Sequence, residues 1–227
     1  SPKYRAMPEL EDLTMKLAEA AGIATAVHGL VMMQDGELAY ITRRMDRGVD
    51  GRKYSMLDMC QLTNRLTEHK YRGAYVQLAD TIKRYSATPL LDVQRFWEIV
   101  ICSWITGNSD MHCKNFSLIE REGVGYQLSP AYDLLAVLLT GIDDSDELAM
   151  PLIGSGVEDN QFIAGFDRTA FVEAMIMSGI NQKIADRIIG KLISHLEHWY
   201  RIIDSSFLSD ELKDAYKSMV ADRVKRL

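Results

Sequence analysis

Along the first quarter of the chain the hydrophobic positions change period. From Glu9 to Ala21 they recur at helical spacing, with Leu10, Leu13, Leu17 and Ala21 on one face, Pro8 at the entry and Gly22 at the exit. Proline is tolerated where a helix starts, and glycine readily takes the left-handed conformation that ends one. The period then drops to two. Val27–Met33 and Glu37–Thr42 flank Gln34-Asp35-Gly36, the pattern of a β-hairpin whose Asp-Gly pair supplies the positive φ of a type I′ turn. A charged loop over 43–53 follows.

Beyond that loop the spacing is helical almost to the end. Ser55 with Asp58 three residues on predicts a capping box opening a short helix, Gly73 interrupts, and Ala74–Tyr85 resumes the pattern. Val93–Thr106 is apolar nearly all round, with Val93, Phe96, Trp97, Val100, Ile101, Trp104 and Ile105, which predicts a helix in the middle of the core. Phe116–Ile119 and Tyr126–Leu128 predict a second hairpin, and Thr169–Met177, Lys183–Ile203 and Glu211–Arg226 three further helices. The expected fold class is α+β, mostly α-helical.

Composition narrows the function. With 47% hydrophobic and 26% charged residues, the 227-residue chain can bury a sizeable core and is not a disordered segment. A net charge of −6 opposes a phosphate backbone, so nucleic acid is not the expected direct partner. Asp143, Asp144, Asp146 and Glu147 read as a solvated acidic loop, and Arg223, Lys225 and Arg226 as an exposed helix end favoured by the helix dipole. Cys60, Cys102 and Cys113 are odd in number and widely spaced, which fits a reducing cytoplasm better than a disulfide framework or a zinc knuckle. The longest apolar run, Ile99–Ile105, is broken by Ser103 and falls far short of the roughly 20 residues that cross a bilayer. No signal-peptide pattern is visible at Ser1-Pro-Lys-Tyr-Arg. A cytoplasmic location with no membrane partner is expected.

Chemistry concentrates directly after the core helix. Asn108-Ser109-Asp110-Met111-His112-Cys113-Lys114-Asn115 places six polar or ionisable side chains in eight residues. The second hairpin then returns the chain through Ser129-Pro130-Ala131-Tyr132 to Asp133, which should fall beside Asp110 and Asn115. Two carboxylates and an amide form an all-oxygen donor set that suits Mg²⁺ or Mn²⁺ and not zinc. Their order matches phosphoryl transfer by protein kinases: a base, a metal-binding amide four residues further on, a hairpin, then a metal-binding Asp. Lys114 would add a cation for the developing charge. No Arg precedes Asp110, and Asp133-Leu134-Leu135 stands where kinases carry Asp-Phe-Gly. On spacing alone, a polar turn plus a helix N-cap explains the same residues.

The two motifs together, Asn108-Ser-Asp-Met-His-Cys-Lys-Asn115-Phe-Ser117 and Ser129-Pro-Ala-Tyr-Asp133-Leu134, resemble the catalytic and metal-binding motifs of the HipA-like kinases, toxins of HipBA-type toxin–antitoxin modules. Weaker agreement covers Leu13–Glu19, Ala21-Gly22-Ile23, Arg44–Arg47, Asp58–Gln61 and Phe207-Leu208-Ser209. The resemblance implies a bacterial Ser/Thr kinase that uses ATP and Mg²⁺. Asp110 would be the base, with Asn115 and Asp133 the metal ligands. His112 and Tyr132 would lie on the phosphate side, and Met45, Asp46 and Gln61 near adenosine. For His112, a bond to its own loop backbone is an equal alternative. The implied partners are a protein substrate such as an aminoacyl-tRNA synthetase and a HipB-like helix-turn-helix antitoxin, with DNA reached only through the antitoxin.

The resemblance also implies a division into a remnant of the nucleotide-binding lobe, residues 1–48, and a helical C-lobe, residues 49–227. The family's glycine-rich loop and strand lysine lie before the first helix, where only Lys3 stands here. Glu11 matches a recurrent family glutamate that would pair with such a lysine, but Leu10 replaces the neighbouring Asn. A truncated or partly represented kinase is therefore expected, with two rivals: a pseudokinase-like binding module and a Mg²⁺-dependent phosphohydrolase. His195 and His198, three apart, read as packing or surface histidines, and Trp97, Trp104, Phe96 and Trp199 as core.

Overall fold

A computed structural model describes residues 6–141, 146–154 and 166–227; Lys3, Asp143 and Asp144 lie outside the described residues. The molecule is α+β, with two small antiparallel sheets set among helices. Helix α1 (Met7–Ala20) buries Leu10, Leu13 and Leu17 as its spacing demands. Its partners come from the far end of the chain. The Trp199 indole N–H donates to the Leu17 carbonyl at 2.8 Å, and the Thr14 and Tyr216 hydroxyls share a 2.8 Å bond.

Strands β1 (His28–Met32) and β2 (Leu38–Thr42) pair antiparallel, His28 opposite Thr42 and Met32 opposite Leu38. Their connection is not the expected type I′ turn. Only Gly36 has positive φ (86°), and Met33 N–H bonds Glu37 O at 2.8 Å, enclosing a three-residue loop that ends in a left-handed glycine. Asp35 Oδ1 accepts the Glu37 N–H at 3.1 Å. This bond across two residues is an Asx-type turn of a kind Asp favours.

The second sheet has order β3-β4-β5: β3 (Met56–Asp58), β4 (Ser117–Arg121) and β5 (Gly125–Leu128). The β4–β5 hairpin follows the sequence pattern, whereas β3 is too short to show a period. Because β3 draws residues 56–58 against β4, the capping box forms one step later than expected. Asp58 caps the single turn α2 (Met59–Leu62), accepting the Gln61 N–H at 2.8 Å while Gln61 Oε1 accepts the Asp58 N–H at 2.9 Å.

Helix α3 (Tyr75–Tyr85) packs beside α4 (Pro89–Ile105), whose Phe96, Trp97, Val100, Ile101, Trp104 and Ile105 are fully buried. Asp92, in the first turn of α4, is also fully buried, and it accepts from the Ser86 hydroxyl (2.6 Å), the Leu128 N–H (2.9 Å) and Thr88 (3.2 Å). A buried carboxylate is tolerable only with such donors. Here they fasten the end of β5 to α4.

Four helices close the fold: α5 (Arg168–Met177), α6 (Gln182–Ile193), α7 (Leu196–Asp204) and α8 (Asp210–Val224). The expected continuous helix over 183–203 is split at Ser194-His195. Both side chains bond the Lys191 carbonyl, at 2.7 and 2.8 Å, a local alternative to the helical ladder. The kink lets Trp199 turn into the α1 interface.

At the C-terminus the structure overturns two expectations. Arg223 is buried, 5% exposed, and donates to the Trp104 carbonyl at the end of α4. Glu147 is not a solvated acid. It accepts from Arg226 at 2.7 Å and from the Trp104 indole at 3.2 Å, and lies 3.9 Å from Arg223. Burial pushes the Glu147 carboxyl up, but the bonds from Arg226 and Trp104 outweigh it and hold the group below its usual range. Both guanidinia also sit over the Trp104 ring, an aromatic anchor no periodicity announces. The three cysteines are free and buried. Among the described residues no helix is long and apolar enough to cross a membrane.

Candidate functional site

The loop after α4 is held from three sides. At its root, Gly107 has φ 81°, and an added Cβ would lie 2.5 Å from Met219 Cε, so only glycine fits without displacing that side chain. Asn108 follows, buried, with Oδ1 accepting the Asp110 N–H at 3.2 Å and Nδ2 donating to the Asp133 carbonyl at 3.3 Å. The Tyr75 hydroxyl donates to the Met111 carbonyl at 2.7 Å, and the Cys113 N–H to Lys70 O at 3.1 Å.

One turn of 3₁₀ helix, Cys113–Asn115, then aims Asn115 at Asp133. Asn115 Oδ1 accepts the His112 N–H at 3.2 Å, and a backbone N–H can only donate, so the amide orientation is fixed. Its Nδ2 therefore faces Asp133 Oδ2, at 2.5 Å. Asp133 itself sits at φ 58°, a left-handed conformation that Asp tolerates better than most residues. Its segment is fixed against the α1–β1 connection by Ala131 N–H to Ala24 O and Ala26 N–H to Ala131 O, both 2.8 Å.

Asp110 stands on the other side of His112. Its Oδ1 accepts the Tyr71 hydroxyl at 2.7 Å, and its Oδ2 lies 3.9 Å from His112 Nε2. No bond joins Asp110 to Asn115 or Asp133 among the described residues, so the four groups form a row and not a cluster. His112 is buried, and burial depresses its pKa despite the opposing Asp110 charge, which favours neutral imidazole. Its Nδ1 has no hydrogen-bond partner among the described residues.

Five other sequence-predicted residues, Met45, Asp46, Gln61, Lys114 and Tyr132, line one open cleft of about 350 Å³ that Met56 also borders. The row of Asp110, His112, Asn115 and Asp133 adjoins its Lys114–Tyr132 side through the chain. The Tyr132 hydroxyl donates to the Lys114 carbonyl at 2.7 Å and meets Ser117 Oγ at 2.6 Å, locking the two segments together. Burial holds the Tyr132 phenol well above its usual range. Asp46 is clamped by two bonds from Arg44 (2.9 and 2.7 Å) and one from Arg47 (2.9 Å), with Arg44 the main cause of a carboxyl pKa lowered to about 2. Gln61 spends its Oε1 on the α2 cap.

On the α1 side the picture differs. Glu11 has no hydrogen bond or ion pair among the described residues, and burial together with the Asp133 charge pushes its carboxyl up to about 7. The neighbouring Tyr40 hydroxyl is likewise buried without a partner, its phenol raised by burial and by Glu11. Sequence reasoning missed Tyr71 altogether, because it lies in an irregular segment far from Asp110 along the chain, and it treated Asn108 only as part of a motif.

Among the described residues no three His, Cys, Asp or Glu side chains come together to hold a metal ion. Asp133 and Asn115 Oδ1 are the available oxygen donors, and with the amide N–H turned to Asp133 they would share one cation only if the Asn115–Asp133 bond opened. One or two side chains are too few for an all-protein cage, but are the number commonly used for Mg²⁺, with phosphates and water completing its shell.

Residues 1–200 match the HipA-like C-terminal domain. A Haemophilus influenzae protein named "Putative kinase" is 25% identical over 226 residues, covering 91% of this chain and 66% of the relative. The Sinorhizobium fredii "Putative kinase Y4dM" is 33% identical over 151 residues, 61% of this chain and 36% of the relative. Among solved structures, HipA of Shewanella oneidensis MR-1, in a complex of HipA, HipB and operator DNA, superposes with a TM-score of 0.79 at 21% identity, over 98% of this chain and 56% of that one. The Helicobacter pylori proinflammatory kinase CtkA gives 0.68 at 15% identity, over 98% and 82%. The fold is thus of kinase type, and the chain spans two thirds or less of the curated relatives it matches.

Proposed function

The chain belongs to the HipA-like C-terminal domain family, and from that premise we propose that it forms the catalytic part of a Mg²⁺- and ATP-dependent protein Ser/Thr kinase. The observation that carries this reading is the 2.5 Å meeting of Asn115 and Asp133, with Asp110 on the same loop and an open cleft alongside. In it, Asp110 accepts the proton of the acceptor hydroxyl as that oxygen attacks the γ-phosphorus and the bond from that phosphorus to the β–γ bridging oxygen breaks, with ADP as the leaving group. Asn115 and Asp133 would hold the metal, which would supply neutralisation of the phosphate charge. Lys114, on the wall of the cleft, would offset the same charge.

The remaining residues bind and orient. His112 Nδ1, buried and unpaired, is a costly arrangement on its own, about 1–3 kcal/mol, and a nucleotide phosphate or a bound water would satisfy it. Tyr132 fixes the cleft wall, Met45 offers an adaptable apolar contact for adenine, and Asp46 and Gln61 present polar groups at the same end. In this reading residues 1–48 contribute the nucleotide-lobe side and 49–227 the catalytic lobe. Glu11 would meet a cation supplied from the nucleotide lobe. The HipA complex with HipB and operator DNA supports a HipB-like antitoxin as partner, with DNA reached through it. An aminoacyl-tRNA synthetase substrate rests on the family resemblance.

Incubation of the full natural chain with Mg²⁺ and γ-labelled ATP tests the proposal. Label on protein Ser or Thr supports the kinase. Free phosphate without protein label would make it a phosphohydrolase, and nucleotide binding without turnover a pseudokinase.

A further inference from the structure

We propose that Tyr71 is the positioning residue for the Asp110 base. This rests on the kinase reading above and deepens it. Asp110 is close to half exposed, 47%, on a loop. A carboxylate in that situation is free to sample rotamers, and a general base works only within about 2.6–3.2 Å of the proton it takes. The Tyr71 hydroxyl removes that freedom by donating to Oδ1 at 2.7 Å. Oδ2 remains for the acceptor hydroxyl.

Tyr71 is itself held in place. On one side of it, Lys70 O accepts the Cys113 N–H at 3.1 Å; on the other, Arg72 O accepts Arg65 Nη1 at 2.6 Å. The Tyr71 ring meets His112 edge-on, centroids 5.1 Å apart and planes at 77°, and Lys70 Nζ lies 4.8 Å from its centre. One side chain thus braces both the base and the buried histidine of the same loop. A movable plug would not be tied down on both flanks, on one of them to the catalytic loop itself.

The test uses the full natural chain with Mg²⁺, γ-labelled ATP and a degenerate Ser/Thr peptide mixture as acceptor. Tyr71→Phe keeps the ring and removes only the hydroxyl. It is expected to lower kcat roughly ten- to hundredfold, as for loss of a charge-assisted hydrogen bond, with KM for ATP and nucleotide Kd unchanged. Tyr71→Ala, which also strips the ring from His112, should lower kcat further and weaken nucleotide binding, while a thermal melt shows that both variants fold. An unchanged kcat in Tyr71→Phe overturns the proposal. So does a raised kcat/KM for the peptide acceptor, which would make Tyr71 a plug in the acceptor position. Asp110→Asn runs in parallel. If it abolishes transfer while Tyr71→Phe behaves as wild type, only the positioning role falls; if Asp110→Asn still transfers phosphate, the base assignment falls with it.

Discussion

The two ends of the candidate site are built to different standards. At the Asn115–Asp133 end, Asn108, Asn115 and Asp133 interlock through bonds of 2.5–3.3 Å, and Tyr75 and Asn108 tie the backbone beneath them. On the α1 side, Glu11 and the Tyr40 hydroxyl are desolvated without a partner among the described residues. Buried polar groups are normally paired, because leaving one unpaired costs free energy. The Asn115–Asp133 pair is therefore satisfied as it stands, and the unpartnered atom on that side is His112 Nδ1. The α1 side carries a cost that a cation or other ligand would relieve.

Attacking the finished end should give the largest effect. Asp133→Ala removes the carboxylate and leaves the Asn115 amide without its acceptor. Phosphoryl transfer should fall by roughly 10³-fold, with loss of the Mg²⁺ dependence of nucleotide binding by calorimetry. A variant that still binds nucleotide more tightly with Mg²⁺ than without would show that the metal is held elsewhere.

The next effect concerns what the finished end hangs from. Arg223 caps the Trp104 carbonyl, and Trp104 lies three residues before the loop root at Gly107. Arg223→Met leaves Glu147 partly buried with Arg226 as its remaining cation. Breaking a buried pair in this way costs about 3–5 kcal/mol when burial is complete, and the low end is expected here because Arg226 persists. Urea denaturation reads it, and a loss under about 1 kcal/mol would return Arg223 to the exposed helix end that its sequence position suggests.

Glu11 gives the smallest and most discriminating effect, because its unpaired charge is present only at the higher pH. Its folded pKa of about 7 lies above the ordinary value of 4.5. Between those values the folded state holds the extra proton, so stability is full below about pH 4.5 and declines as pH rises through 7. Glu11→Gln is neutral throughout. It should match wild type near pH 4.5 and exceed it by about 1–2 kcal/mol at pH 8, after allowance for the solvent that reaches this part-buried carboxyl. Equal stability of the two proteins at pH 8 would mean that Glu11 is already paired, and the contrast between the two ends would disappear.

What could be read from sequence follows the range of the interactions. The meeting of Asn115 and Asp133 was legible because one hairpin and a return bring them together over a short stretch of chain, whereas Asp110, expected beside both, has no bond to either among the described residues. α1, α3, α4 and both hairpins were legible from period. The type I′ turn failed because the pairing leaves three residues in the loop, with the positive φ at Gly36, and the long helix over 183–203 failed because Ser194 and His195 turned onto Lys191 O. Arg223 with Glu147, and Tyr71 with Asp110, are pairings made only once the core has assembled. Local pattern carries no trace of either.

The central claim is that Asp110 is the base of a phosphoryl transfer whose nucleotide is held by other residues. Asp110→Asn keeps the side-chain shape and an acceptor for the Tyr71 hydroxyl while removing the basic oxygen. With Mg²⁺ and γ-labelled ATP, transfer to protein should drop by about 10²–10⁴-fold while the nucleotide Kd stays at the wild-type value. Transfer at the wild-type rate would contradict the account.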